Sequence, residues 1–135
     1  MKDSIFTKII NRELPAEIIY EDEQNIAILS INPHHNGHSL VISKVQVDEF
    51  QDLSEQDFLS TMSLVRKLAK VIKRVFKPAR IGLVIEGFAV PHVHIHLIPI
   101  NQPSDLDHTN AGSATMEQLS VVGQKIRDDI ARNGL

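Results

Sequence analysis

The sequence predicts an α+β fold: an antiparallel sheet of about five strands with helices packed on it. Two kinds of run carry this prediction. Short stretches rich in Ile, Val and Leu are bounded by turn residues, and two longer stretches repeat apolar side chains at steps of three and four. The order in which they follow one another supplies the third observation. At 135 residues the chain suits a single domain, 1–135.

Ile5, Phe6, Ile9 and Ile10 predict a short opening helix, punctuated by Pro15. Ala16 to Tyr20 and Asn25 to Ile31 read as strands, separated by a polar turn. Asn32-Pro33 ends the second, Asn36-Gly37 marks a turn, and His38 to Ser43 reads as a third strand. Ser54 to Lys77 is the longest periodic segment. Ser54 and Asp57 resemble a capping box, Phe58, Met62, Val65, Leu68 or Ala69, Ile72 and Phe76 form its apolar stripe, and Pro78 stops it. Arg66, Lys67, Lys70, Lys73 and Arg74 form the opposite face, read as solvated rather than as an anion patch. Arg80 to Glu86 is a fourth strand, and His92 to Ile98, bracketed by prolines, alternates polar and apolar residues as a fifth. Residues 101–114 read as a loop. A last helix spans about 115–133, opened by Thr115 and Gln118, with Met116, Leu119, Val122, Ile126 and Ile130 as its stripe.

Composition narrows the function. The net charge is -3, which argues against a nucleic-acid polymer as partner. There is no cysteine, so disulfides, thiol catalysis and Cys-ligated metal sites are excluded. No apolar run approaches the roughly 18 residues of a membrane span, and the first residues do not read as a secretory signal. No membrane association and a cytoplasmic location are expected. The unusual count is histidine: seven, with three in Pro33 to Ser39 and three in Pro91 to Leu97.

On a strand, His92, His94 and His96 share one face, while Val93, Ile95 and Leu97 point to the other, the expected core. Three readings compete. The bland one is a solvated face without chemistry. A metal site is the second, but a rise of about 3.3 Å per residue puts His92 and His96 about 13 Å apart. One ion could chelate two neighbours, and a complete site would need His34, His35 or His38. The third is chemistry on phosphorus. Neutral imidazole is a nucleophile near pH 7, and neighbouring imidazoles can donate to phosphoryl oxygens.

Pro91-His-Val-His-Ile-His-Leu-Ile-Pro99 resembles the H-x-H-x-H signature of the histidine triad (HIT) superfamily of nucleotide hydrolases and transferases. Ser4 to Ile10, Glu13 to Ala16 and Ile19 to Asp22 resemble the family's opening blocks. Ile31-Asn32-Pro33 and Gly37 to Ile42 resemble its central block. The matched blocks cover about residues 4–100, the expected HIT-like core. The resemblance implies a long central helix in that core, with the C-terminal helix as an addition, and a homodimer. It also implies attack on the α-phosphorus of a small-molecule nucleotide through a nucleotidyl-histidine, without cofactor or metal. His94 would be the nucleophile and His96 would hydrogen-bond the phosphate and leaving-group side. His92 would orient them from a buried position, with His38 in the same network. Phe6, Ile9, Ile28 and Ile31 would form the base pocket.

The departures are specific. Ser30 stands where relatives commonly carry the acidic residue that grips the ribose, and Ile85 where an Asn is common. Gly87 to Val90 lacks the Gly-Gln-Ser phosphate-holding segment, and Ser4 and Thr7 occupy the cysteine positions of zinc-bearing members. His34 and His35 lie outside the shared pattern and read as surface residues; His108 is assigned no role. The leading expectation is a hydrolase or nucleotidyl transferase acting on a dinucleoside polyphosphate or nucleoside phosphoramidate. A nucleotide-binding module with little catalysis and a metal-dependent protein are the alternatives.

Overall fold

The computed structural model describes residues 2–135. The first helix, α1 (Ile5–Ile10), begins where the Ser4 hydroxyl accepts the Thr7 N–H at 3.0 Å. It closes before Pro15, because Arg12 takes a left-handed conformation at φ 62° and turns the chain. Strands β1 (Ile18–Glu21), β2 (Asn25–Leu29), β3 (Ser39–Ser43), β4 (Arg80–Val84) and β5 (His94–Ile100) form one antiparallel sheet in the order β1-β2-β3-β5-β4. The α+β expectation therefore holds, with strand ends moved by up to two residues.

Both faces of this sheet are covered. Ile19, Ala27, Leu29, Val41, Ile95 and Leu97 pack on one side against α2 (Glu55–Phe76) and α3 (Met116–Asn133). Ile26, Ile28, Leu40 and Ile42 pack on the other against Phe6 and Ile9 of α1. The buried face of α2 is centred differently from the expected stripe. Leu64 and Val71 join Val65, Leu68 and Ile72, whereas Phe58, Met62, Ala69 and Phe76 are only partly covered. The basic residues opposite are exposed, as expected of a solvated face. Ser54 caps α2 through the Asp57 N–H at 3.1 Å. Lys77, in the left-handed region at φ 52°, ends it one residue ahead of Pro78.

Three expectations change. The fifth strand begins at His94, so His92 and Val93 lie in the bend before it, and it runs through Pro99 to Ile100. The pairing of β3 stops opposite Leu97, so the end of β5 needs a partner on one side only and tolerates a proline. Residues 101–114 are not a plain loop: they contain 3-10 turns at Pro103–Leu106 and His108–Asn110. The first is organised by Asp105, whose carboxylate accepts the Asn101 and Gln102 N–H groups at 2.7 and 3.1 Å. On α3 the Thr115–Gln118 capping box forms, and Leu119 and Ile126 are buried, but Met116 at the head of the stripe is 43% exposed. Arg127 docks this helix on β1 by donating to the Ile18 carbonyl and pairing with Glu17. Among the described residues no helix is long and apolar enough to cross a membrane.

Gly37 carries the chain from the Pro33 turn into β3. Its φ is +95°, and a Cβ there would lie 2.7 Å from the Phe76 ring. Gly37→Ala adds backbone strain to a clash with a packed aromatic ring. It is expected to lower stability by about 1–3 kcal/mol, read as a drop in the urea midpoint.

Candidate active site

Strand β5 alternates, so His94 and His96 face α1 while Ile95 and Leu97 face the helix layer. The cross-strand partners of these histidines are Ile42 and Leu40 on β3. His38, 2% exposed, lies directly ahead of β3 and reaches the same place. His92 is fully buried and is held in its bend partly by the Val93 N–H, which donates to the Val47 carbonyl at 2.7 Å.

The hydrogen bonds fix which nitrogen of each ring carries a proton. The Ser43 carbonyl can only accept, so His92 donates through Nε2 at 2.6 Å, and its Nδ1 accepts from the Ser4 hydroxyl at 2.6 Å. The His92 carbonyl in turn accepts from His94 Nδ1 at 2.6 Å. The neutral His94 ring therefore carries its lone pair on Nε2. The His34 backbone N–H donates to His38 Nδ1 at 3.1 Å, so His38 bears its proton on Nε2 and donates to His96 Nδ1 at 2.9 Å. His96 is left with Nε2–H as an outward donor. Of these four rings, the uncommitted nitrogens are one acceptor, His94 Nε2, and one donor, His96 Nε2.

Burial favours the neutral forms of His38, His96 and His92. It pushes His38 down to about 3, with the neighbouring His96 adding to the effect. It pushes His96 down to about 4, with His94 next in importance. His92 is also lowered by burial, against the opposing effect of its bond to Ser43. The metal alternative finds little to use. His92 has both nitrogens engaged, and His38 and His96 are bonded to each other.

His94, His96 and His38 line a cavity of about 510 Å³, a volume suited to a small organic ligand. All five residues expected in the base and ribose pocket line it too: Phe6, Ile9, Ile28, Ser30 and Ile31. The Phe6 ring meets His94 edge-on, centroids 4.8 Å apart. Ile31, 61% exposed, is part of the lining rather than of the core. The Ser30 hydroxyl accepts the Asn32 N–H at 3.2 Å. His92 does not line the cavity; it supports the wall.

Three titratable lining residues, His34, His108 and Glu86, escape the sequence reading. His34, expected on the surface, is partly buried, donates from Nδ1 to the Asp105 carbonyl at 2.9 Å and stacks edge-on against His38 at 4.9 Å. His35 stays exposed. His108, which had no assigned role, faces Glu86 with Nε2 3.2 Å from its carboxylate. The His34 signal was its place four residues before His38. Nothing local marks His108 or Glu86, because the turns of residues 101–114 bring them together.

Ser4→Ala removes both the α1 cap and the donor to buried His92, and is expected to cost about 1–3 kcal/mol of stability, measured by urea unfolding. A second expectation concerns acid. His38 and His96 titrate lower in the folded chain than unfolded, so their contribution is complete above pH 6.5. It is lost as the pH falls toward 4, because the unfolded chain takes up protons first. The unfolding free energy from urea titrations should fall between pH 7 and 4.5, by about 2 kcal/mol for each ring. The lowered carboxylates of Glu21, Asp105 and Asp129 begin to lose their contribution only at the acid end of that window and lose most of it below.

A family model for the HIT domain matches residues 11–103. An uncharacterized HIT-like protein of Methanocaldococcus jannaschii is 36% identical over 99 residues, covering 70% of this chain and 77% of that one. An adenosine 5'-monophosphoramidase of Saccharomyces cerevisiae is 33% identical over 96 residues, covering 70% and 61%. A bis(5'-nucleosyl)-tetraphosphatase of Schizosaccharomyces pombe is 32% identical over 89 residues, covering 62% and 49%. Among solved structures, a Hit-like protein of Bartonella henselae superposes with a TM-score of 0.83 at 30% identity, covering 94% of this chain and 96% of that one. The five-stranded sheet, the histidines on its β5 and these similarities agree: the chain belongs to the HIT family.

Proposed function

We propose that this chain is a nucleotide hydrolase or nucleotidyl transferase that attacks an α-phosphorus with His94. The observation that carries the proposal is the pair of uncommitted nitrogens, a lone pair on His94 Nε2 and a proton on His96 Nε2, in one cavity. The relatives with named activities, an adenosine monophosphoramidase and a dinucleoside tetraphosphatase, support the same substrate class.

In this reading the base lies among Phe6, Ile9, Ile28 and Ile31, and Ser30 bonds the ribose. His94 Nε2 forms a bond to phosphorus while the bond to the leaving group breaks. The leaving group departs with that electron pair, hydrogen-bonded by His96 Nε2–H, and takes up a proton from water. Water then attacks the phosphorus, the phosphorus–nitrogen bond breaks back to His94, and the proton of the attacking water is released to solvent. The net reaction adds water across the scissile bond; an alcohol or phosphate in place of water makes the reaction a transfer. His92 and His38 hold the two working rings in the required tautomers. The His94 Nδ1–H bond to the His92 carbonyl also stabilises the cationic ring of the intermediate. The reading includes a homodimer, to which the outer strand β4 with its half-exposed Leu83 is suited.

The test is turnover of adenosine and guanosine phosphoramidates and dinucleoside polyphosphates. His94→Ala is expected to lower kcat/KM by about 1000-fold or more. Acid-quenched wild-type protein should carry one nucleotidyl group, seen by intact mass and absent from the variant. Turnover unaffected by His94→Ala overturns the assignment. Thermal stabilisation by AMP or GMP with no turnover of any substrate would favour a binding module, the reading suggested by the altered Gly87 to Val90 segment.

A further inference from the structure

We infer that Glu86 selects the leaving group by charge, favouring substrates whose leaving group carries an amine or other cation over polyphosphates. The inference rests on the hydrolase reading above and deepens it. The cavity is lined by five histidines, Glu86 and otherwise uncharged residues. No Lys or Arg lines it, so nothing there matches the several negative charges of a polyphosphate chain. The Gly87 to Val90 segment offers Phe and Ala where a phosphate-holding hydroxyl and amide would stand. Phe88 itself is 93% exposed.

The one carboxylate among the described lining residues faces His108. Glu86 Oε2 lies 3.2 Å from His108 Nε2, and His108 packs edge-on to His34 with centroids 6.0 Å apart. His34 is fixed through the Asp105 carbonyl and adjoins His38, the ring bonded to His96. The Glu86–His108–His34 group thus borders the cavity on the His96 side, where the leaving group departs. Its open sites are acceptors. His34 donates its Nδ1 proton to Asp105, so the neutral ring offers a lone pair at Nε2. The side chain of Glu86 remains 31% accessible, leaving carboxylate lone pairs for a ligand. Two acceptors, one of them a full negative charge, complement an ammonium or N–H donor and repel phosphate.

The discriminating experiment uses matched substrates on both adenosine and guanosine: a phosphoramidate of a diamine with a distal ammonium, its isosteric neutral-amine counterpart, and the dinucleoside tetraphosphate. Wild-type protein is expected to prefer the cationic over the neutral leaving group by about tenfold in kcat/KM, as a charge pair at partial exposure allows. Glu86→Gln should bring that ratio close to one, and Glu86→Lys should shift preference toward the tetraphosphate. His94→Ala is run alongside each. His94-dependent turnover with a ratio unchanged in Glu86→Gln overturns the inference and leaves the hydrolase reading standing. No His94-dependent turnover of any substrate overturns both. Circular dichroism and the urea midpoint of each Glu86 variant separate a lost ratio from a lost fold.

Discussion

The hydrogen bond from His94 Nδ1–H to the carbonyl of His92 is the contact on which the site depends. A neutral imidazole has one donor and one acceptor, and a backbone carbonyl can receive only the donor. Once that bond forms, the lone pair at Nε2 is fixed by elimination. The carbonyl belongs to a residue that is itself pinned at both nitrogens, by Ser43 and Ser4. The same logic runs along the other arm, from the His34 amide through His38 to His96. Backbone groups therefore terminate both chains, and backbone hydrogen-bonding roles do not change with pH.

The rest of the fold makes such a polar group tolerable inside an apolar layer. Because α2 and α3 cover one side of the sheet, the opposite side can be given to α1 and the histidines. Asn25 shows the same economy on β2: although 1% exposed, its amide is bonded at both ends, accepting from Thr61 at 2.7 Å and donating to Ser60 at 3.0 Å.

Period-two and period-three-to-four patterns made the sheet, the long helices and the shared face of His94 and His96 legible, while the pocket residues Phe6, Ile9, Ile28 and Ile31 were expected only from the family resemblance. The pattern was less informative where both faces of a strand are buried, as in β2 and β3, since such strands read as continuous apolar runs. The face of β5 that carries His94 and His96 also borders an apolar layer, with Phe6, Leu40 and Ile42, that its alternation did not announce. His92 was placed on the strand because alternation extends through it. Its ring is instead turned into a bend by long-range bonds to Ser4 and Ser43, which no local spacing encodes. His108 and Glu86 were illegible for the same reason: 22 residues and two turns separate them in sequence.

Helix α1 gives the site a dynamic dimension. Six residues cannot sustain a helix alone, so α1 persists through Phe6, Ile9, the Ser4–His92 bond and the tie of Thr7 to Gln46 at 2.6 Å. A transient undocking of this segment would remove the aromatic edge beside His94 and, in the same event, free His92 to rotate or change tautomer. The fraction of molecules competent at any instant is then set by the local opening free energy of α1, well below that of global unfolding. A ligand held against Phe6 and Ile9 would close that equilibrium, so ligand occupancy and the order of the His94 ring become a single cooperative step.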